Sequence, residues 1–329
     1  MKIAAGVILV IGLVLASALV MALIFGGPSQ PPAMAGINEP FKNLDYSGLP
    51  ELDSYQARDG SQLAYRHYPA ETRDDASNGS VVLLHGSSAD SRSLHPLATA
   101  YAEAGFSAYA LDVRGHGDSG PRGDIAYIGQ LEDDLEDFVD AVNPDTPRTL
   151  TGFSAGGGFA LRIAGSERSD LFAHYLLLSP FISQEAPTHR PDTGGWTQVG
   201  IPRYISIALL NQLGISAFNH LPVVRFALAE DARGLLTPAY SFRLAQNYRP
   251  RADYRATIQA IDHPTRLIAG RDDQVLDPTH FETVFQHASR DVPVTLLPGI
   301  GHVGLVVKSD ALQAIITETR HLLDTGPAE

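Results

Sequence analysis

The segment Gly152-Phe153-Ser154-Ala155-Gly156 sets a serine between glycines two positions to either side. It directly follows a strand-like run at residues 148–151 and directly precedes a helical run at 155–164. A strand, a tight turn and a helix in that order lift a hydroxyl above the edge of a sheet, and small neighbours let the turn close. Ser154 is therefore a candidate nucleophile, provided that a base takes its proton and a carboxylate orients that base. Both partners are expected downstream. Of twelve histidines, His302 follows the last strand-like run in the glycine-containing loop Pro298-Gly299-Ile300-Gly301, from which a ring can swing over the sheet's carboxyl edge. His280 and His287 fall in the helical run before that strand and His321 in the terminal amphipathic stretch, where surface positions account for all three. Gly270-Arg271-Asp272-Asp273 supplies two adjacent carboxylates at the end of the preceding strand, and the pattern alone does not separate them. Hydrolysis also needs donors aimed at a developing oxyanion. The backbone N–H groups of Ser87, after a His85-Gly86 turn, and of Ala155 are the candidates.

Other patterns point to less chemistry. Gly115-His-Gly117-Asp-Ser-Gly120 has the spacing of a dinucleotide loop, but Pro121, Arg122 and Gly123 stand where the phosphate-facing helix should begin. The acidic run Glu132, Asp133, Asp134, Glu136, Asp137 and Asp140 reads as the solvated face of a helix over residues 127–143, not as a metal site. His85 reads as a loop residue with no proton to transfer. A serine-based hydrolase of this kind requires no metal or cofactor.

Composition narrows the field further. With 24 Lys plus Arg against 37 Asp plus Glu among 329 residues, the net charge of −13 offers no general attraction to phosphate backbones, so nucleic-acid binding is not expected. The absence of cysteine removes disulfides, thiolate metal sites and cysteine nucleophiles.

The elements that must position these residues alternate from residue 52 onward. An antiparallel pair is expected around Asp59-Gly60. Short apolar runs follow at 81–84, 108–112, 148–151, 175–178, 266–269 and 294–297, most of them separated by helical segments. That rhythm implies right-handed crossovers and a mainly parallel, doubly wound α/β sheet whose ligands bind at the carboxyl ends of the strands. It breaks between about residues 183 and 258, which hold apolar helical pieces and no clear strand.

With these residues in place, the chain from about 50 to 325 resembles the α/β-hydrolase superfamily, most nearly its lysophospholipase and monoglyceride-lipase-like branch. The resemblance rests on His85-Gly86, Asp112-Val-Arg-Gly-His-Gly-Asp-Ser119, the elbow at 152–156, Gly270-Arg-Asp-Asp273 and Gly301-His302. It implies that the acid is Asp273, the third residue after the strand-end glycine, that the 112–119 loop is structural, and that residues 183–258 form a helical lid. A serine at the elbow separates the chain from dehalogenase and epoxide-hydrolase relatives, which resemble this fold and use aspartate there. The substrate is left open, because one triad on this fold serves many reactions.

Residues 3–25 hold no charge and, except for Ser17, no strongly polar side chain. That is the length of a membrane-crossing helix, and a Pro/Gly linker follows at 26–48 before the hydrolase domain at 49–329. Its length favours an uncleaved transmembrane anchor, whereas Ala33-Met34-Ala35 fits a cleaved signal peptide. Lys2 is the sole charged side chain ahead of the run, so the catalytic domain is expected on the exported side. The expectation as a whole is a membrane-anchored serine hydrolase of carboxylic esters with a hydrophobic acyl or lysophospholipid-like substrate. Lid arginines at 190, 203, 225, 233, 243, 249, 251 and 255 would suit an anionic group on it. Amide or peptide hydrolysis by the same triad, and a silent binding protein on the same fold, are the alternatives.

Overall fold

The computed structural model describes residues 2–42, 44–71 and 77–324, with residues 2–5, 8, 38, 192 and 193 described by backbone alone. Around Asp59-Gly60, β1 (Asp53–Gln56) turns back on β2 (Gln62–Tyr68) with Gln56 opposite Gln62, as that turn pair predicts. Six strands complete the sheet: β3 (Ser80–Leu84), β4 (Ser107–Leu111), β5 (Arg148–Phe153), β6 (His174–Leu178), β10 (Thr265–Gly270) and β11 (Val294–Leu297). Their order is β1-β2-β4-β3-β5-β6-β10-β11, parallel from β4 onward.

Strands β3, β4 and β6 are buried at every position, and mostly apolar, because both faces are covered. Val81 and Leu83 pack with α3 (His95–Glu103) and α11 (Ser309–Asp324); Val82 and Leu84 point the other way, into the cluster with α4 (Gln130–Val142), α5 (Ala155–Ala164) and α9 (Phe281–His287). The two-residue period of a strand thus divides one apolar run between two cores.

Helix α4 begins at Gln130, not at residue 127, because Gly129 takes φ +109° and breaks the backbone there; Tyr127 and Ile128 are left exposed. Its acidic run also departs from expectation. Glu132 and Asp134 are buried, not solvated, and are bound by Arg162 (Nε to Oε1, 2.6 Å) and Arg114 (Nη2 to Oδ1, 2.6 Å), while Asp133, Glu136 and Asp137 pair with Arg58 nearer the surface. A one-dimensional pattern cannot show that arginines from other elements approach the same face. Among the described residues no group of three or more metal-ligating side chains is placed to hold an ion.

The insertion between β6 and β10 is a mixed cap, not a helical one. Three short antiparallel strands, β7 (Thr197–Val199), β8 (Pro222–Phe226) and β9 (Ala239–Ser241), accompany α6 (Ile201–Gln212), α7 (Phe242–Asn247) and α8 (Tyr254–Gln259). Strands of three to five residues with a register shift between Pro222 and Val224 leave too little alternation to read. Of the remaining helices, α10 (Gly304–Val307) follows the His302 loop and α2 (Ala35–Lys42) lies within the segment expected to be linker.

Helix α1 (Lys2–Phe25) lies against the cap. Leu23 is buried with Ile207, Leu210, Val223 and Phe242, and the Arg203 guanidinium of α6 donates to the carbonyls of Leu23 (2.8 Å) and Ile24 (2.9 Å) at the end of α1. Among the described residues no helix is long and apolar enough to cross a membrane. The described side chains of α1 run unbroken over residues 9–25, many of them exposed and apolar.

Candidate active site

The turn between β5 and α5 holds Ser154 at φ +54°, a left-handed value that a side chain adopts only under strain. The surrounding structure fixes it. Ser154 N–H donates to Leu178 O at 2.9 Å, and its carbonyl accepts from Gly158 and Phe181. The flanking glycines are required by close approach: a Cβ on Gly152 would lie 2.2 Å from Gly156 O, and one on Gly156 would lie 2.5 Å from the carbonyl oxygens of both Leu84 and His85. The GxSxG spacing read in the sequence is thus the steric condition for packing the elbow against β3.

His302 hangs in the loop after β11 with Nε2 3.0 Å from Ser154 Oγ and Nδ1 2.7 Å from Asp273 Oδ2. A carboxylate can only accept, so Nδ1 carries the hydrogen and Nε2 is left to accept the serine proton. Asp273 is buried and Asp272 exposed, and it is Asp273 that meets the His302 ring. Burial alone would raise the Asp273 carboxyl. The His302 ring beside it and the amides of Leu276 (2.9 Å) and Val275 (2.8 Å) outweigh that effect and hold it below its ordinary 3.8. The structure brings Ser154, Asp273 and His302 together in the geometry of nucleophile, orienter and base.

Ser87 and Ala155 line the same cavity, and among the described residues neither amide hydrogen meets an acceptor. The loop carrying Ser87 is held by the cap. Ser88, at φ +71°, donates its N–H to Tyr240 Oη (2.8 Å) and its hydroxyl to Thr237 O (2.6 Å), while Trp196 Nε1 donates to Ser87 Oγ (2.9 Å). Behind it, His116 Nδ1 donates to Val113 O (3.0 Å), so its Nε2 accepts from Tyr240 Oη at 2.6 Å. His85 donates through Nδ1 to Gly86 O and accepts Val113 N–H through Nε2. Burial pushes both imidazoles down and keeps them neutral, in keeping with the structural role read for His85. Trp196 and Tyr240 had no signal in the sequence: each sits in a cap whose strands were not legible.

The cavity between cap and sheet has a volume of about 460 Å³ and reaches Ser154. Its walls are largely apolar, with Trp196, Phe181, Val224, Phe226 and Leu276 among them. That size suits a ligand of one acyl chain or a drug-sized molecule. A buried serine hydroxyl, an imidazole whose Nε2 faces it, a buried carboxylate and two free amides form a set capable of acyl transfer by nucleophilic attack.

A parallel sheet capped beyond β6, with a strained serine elbow below the cap, defines an α/β-hydrolase, and the chain is an enzyme of the serine-hydrolase class. It belongs to the hydrolase family whose model is described as "Serine aminopeptidase, S33", which matches residues 75–306. It is similar to a monoacylglycerol lipase of Mycolicibacterium smegmatis, 38% identical over 97 residues, a match covering 28% of this chain and 34% of that protein. A monoglyceride lipase of Saccharomyces cerevisiae is 24% identical over 303 residues, covering 84% of this chain and 94% of its own. A crystal structure of a soluble variant of a monoglyceride lipase from Saccharomyces cerevisiae, bound to a substrate analogue, superposes with a TM-score of 0.66 at 20% identity over 87% of this chain and 99% of that one. The structure of a membrane phospholipase A covers 98% of this chain and 94% of its own, with a TM-score of 0.53 and 20% identity.

Proposed function

We propose that the enzyme hydrolyses carboxylic esters of single-chain lipids, of monoacylglycerol or lysophospholipid type. The observation that carries this reading is the largely apolar cavity of about 460 Å³ that ends on Ser154. The monoglyceride lipases among the similar proteins support it. In this reading Ser154 attacks the ester carbonyl as His302 Nε2 takes its proton, and Asp273 stabilises the imidazolium that results. The amides of Ser87 and Ala155 receive the oxyanion. His302 then protonates the leaving alcohol, and a water activated by the same ring releases the acid from the acyl-enzyme.

Membrane attachment through α1 belongs to the same proposal. Beyond the exposed apolar side chains of α1, the outward positions of α6 repeat every four residues as Ile201, Ile205 and Leu209, and Leu213, the residue that ends the helix, continues them at 76% exposure. Side chains of that kind on one helical face suit an apolar surface more than water.

Amide hydrolysis is the second reading, favoured by the description of the family model. Matched octanoyl ester and octanoyl amide substrates, assayed on the full chain together with a fluorophosphonate probe, test both. The proposal expects labelling at Ser154 and ester turnover exceeding amide turnover by orders of magnitude. Comparable rates would give the amide reading precedence, and absence of labelling would defeat both.

A further inference from the structure

Two buried arginines in the body of the fold close on carboxylates, Arg114 on Asp59 and Asp134 and Arg162 on Glu132, while a third, Arg66, donates to the carbonyl of Pro50. Arg249, in the turn between α7 and α8, is bound differently. It lines the cavity, and among the described residues it forms no ion pair. Its Nη2 donates to Gln246 Oε1 and, at 3.1 Å, to Tyr204 Oη, while its Nε is buried and meets no acceptor. Tyr204 lines the cavity as well. Its oxygen already accepts from Arg249 and from Gln246 Nε2 at 2.5 Å, so its own hydrogen remains to be donated.

Donors therefore outnumber acceptors at this point of a largely apolar wall. A half-buried guanidinium without a counter-charge is costly, and the geometry best suited to relieve it is a group of anionic oxygens, which a guanidinium and a hydroxyl bind together. The overall charge of −13 keeps free anions away from the surface at large, so the local cation acts on a ligand already held by its apolar part.

We propose that Arg249 and Tyr204 form a subsite for the phosphate of an anionic headgroup, making lysophospholipids with a single acyl chain the preferred lipid class. The proposal rests on the lipid-ester reading and narrows it. The carboxylate of the released fatty acid shares the same chemistry and is the competing occupant.

Calorimetry on the full chain in detergent, with ligands that are not cleaved, separates these cases. The probes are octyl phosphate, neutral 1-O-octylglycerol and octanoate, each titrated against the native protein and against Arg249→Met, Arg249→Lys and Tyr204→Phe. Octyl phosphate should bind more tightly than the neutral ether, and that preference should fall about 10- to 100-fold in Arg249→Met, the size of a lost charge-assisted contact. It should fall about threefold in Tyr204→Phe and be largely retained in Arg249→Lys. A preference unchanged in Arg249→Met, or lost equally in Arg249→Lys, overturns the subsite. Loss of octanoate affinity without loss of octyl phosphate affinity assigns the site to the product carboxylate and overturns the headgroup. Because none of the probes is hydrolysed, a failure of ester turnover defeats the lipid-ester reading and leaves this outcome separately readable.

Discussion

The Tyr240 hydroxyl, carried by cap strand β9, accepts the amide hydrogen of Ser88 at 2.8 Å. A residue of the cap thus holds the loop whose preceding amide, that of Ser87, we assign to the oxyanion. The same hydroxyl donates to His116 Nε2, so its oxygen is fixed from two sides in a fully buried setting. Removing it leaves Ser88 N–H without its acceptor and frees the loop to shift.

Tyr240→Phe is therefore expected to lower kcat about tenfold with KM changed less than about twofold. The loss is smaller than the roughly 10²–10³ of a deleted oxyanion donor because the Ser87 amide is displaced and not removed. Steady-state kinetics alongside circular dichroism check this. An unaltered kcat would show that the cap covers the loop without positioning it.

Asp273→Asn should reduce kcat by on the order of 10²–10⁴ while Asp272→Asn costs less than about threefold, because only the buried carboxylate reaches His302. Stability carries the same signature. A carboxyl held below 3.8 in the fold stabilises it at pH above that value, and the contribution is lost as pH falls through the depressed folded value. The gap in Tm between the native protein and Asp273→Asn should accordingly be widest near neutrality and narrow below about pH 4. A gap independent of pH would contradict the depressed carboxyl.

The sheet, and the segments that bring Ser154, Asp273 and His302 together, were legible because both leave local marks. A strand covered on both faces reads as a short apolar run, and the elbow demands glycines where a Cβ would strike Leu84 O or Gly152 would strike Gly156 O. Asp273 was separated from Asp272 only by family resemblance, since burial is decided by packing and not by the residue's own identity. The cap was misread because its strands are three to five residues long, and Trp196, Tyr240 and Tyr204 act through partners more than 40 residues away in the chain. The acidic face of α4 was misread for the same reason: Arg114 and Arg162 come from elsewhere.

That misreading gives a sharp stability test. Glu132 is buried against Arg162 and also accepts from Asn247, so Glu132→Ala strands a buried guanidinium. The expected cost is about 3–5 kcal/mol, read by denaturant unfolding. Asp140→Ala, on the exposed side of the same helix, should cost less than about 0.5 kcal/mol. Equal costs would mean that the Arg162 pair contributes no more than a surface charge.

Arg203 ties the N-terminal helix to the cap. Its Nε and Nη2 take the carbonyls of Leu23 and Ile24, its Nη1 takes Pro222 O at 2.9 Å, and no carboxylate pairs with it among the described residues. Burial and the nearby Arg225 charge both lower its pKa from the ordinary arginine value, and the terminal carbonyls of α1 offset part of that cost. Arg203→Ala removes the cap from the end of α1 and leaves the apolar packing around Leu23 and the backbone Arg203 N–H to Gly26 O bond to hold the two helices. Losing about 1–2 kcal/mol of local stability raises the open population about 5- to 30-fold, so limited proteolysis within residues 26–34 should accelerate by that factor. Arg203→Lys, which keeps the charge and one donor direction, should fall between. If α1 anchors the chain, both variants should remain in the membrane fraction after a carbonate wash, because the anchor depends on apolar length and not on Arg203. Cleavage at the native rate would show that α1 and α6 are held by apolar packing, and release by carbonate would show that α1 is no anchor.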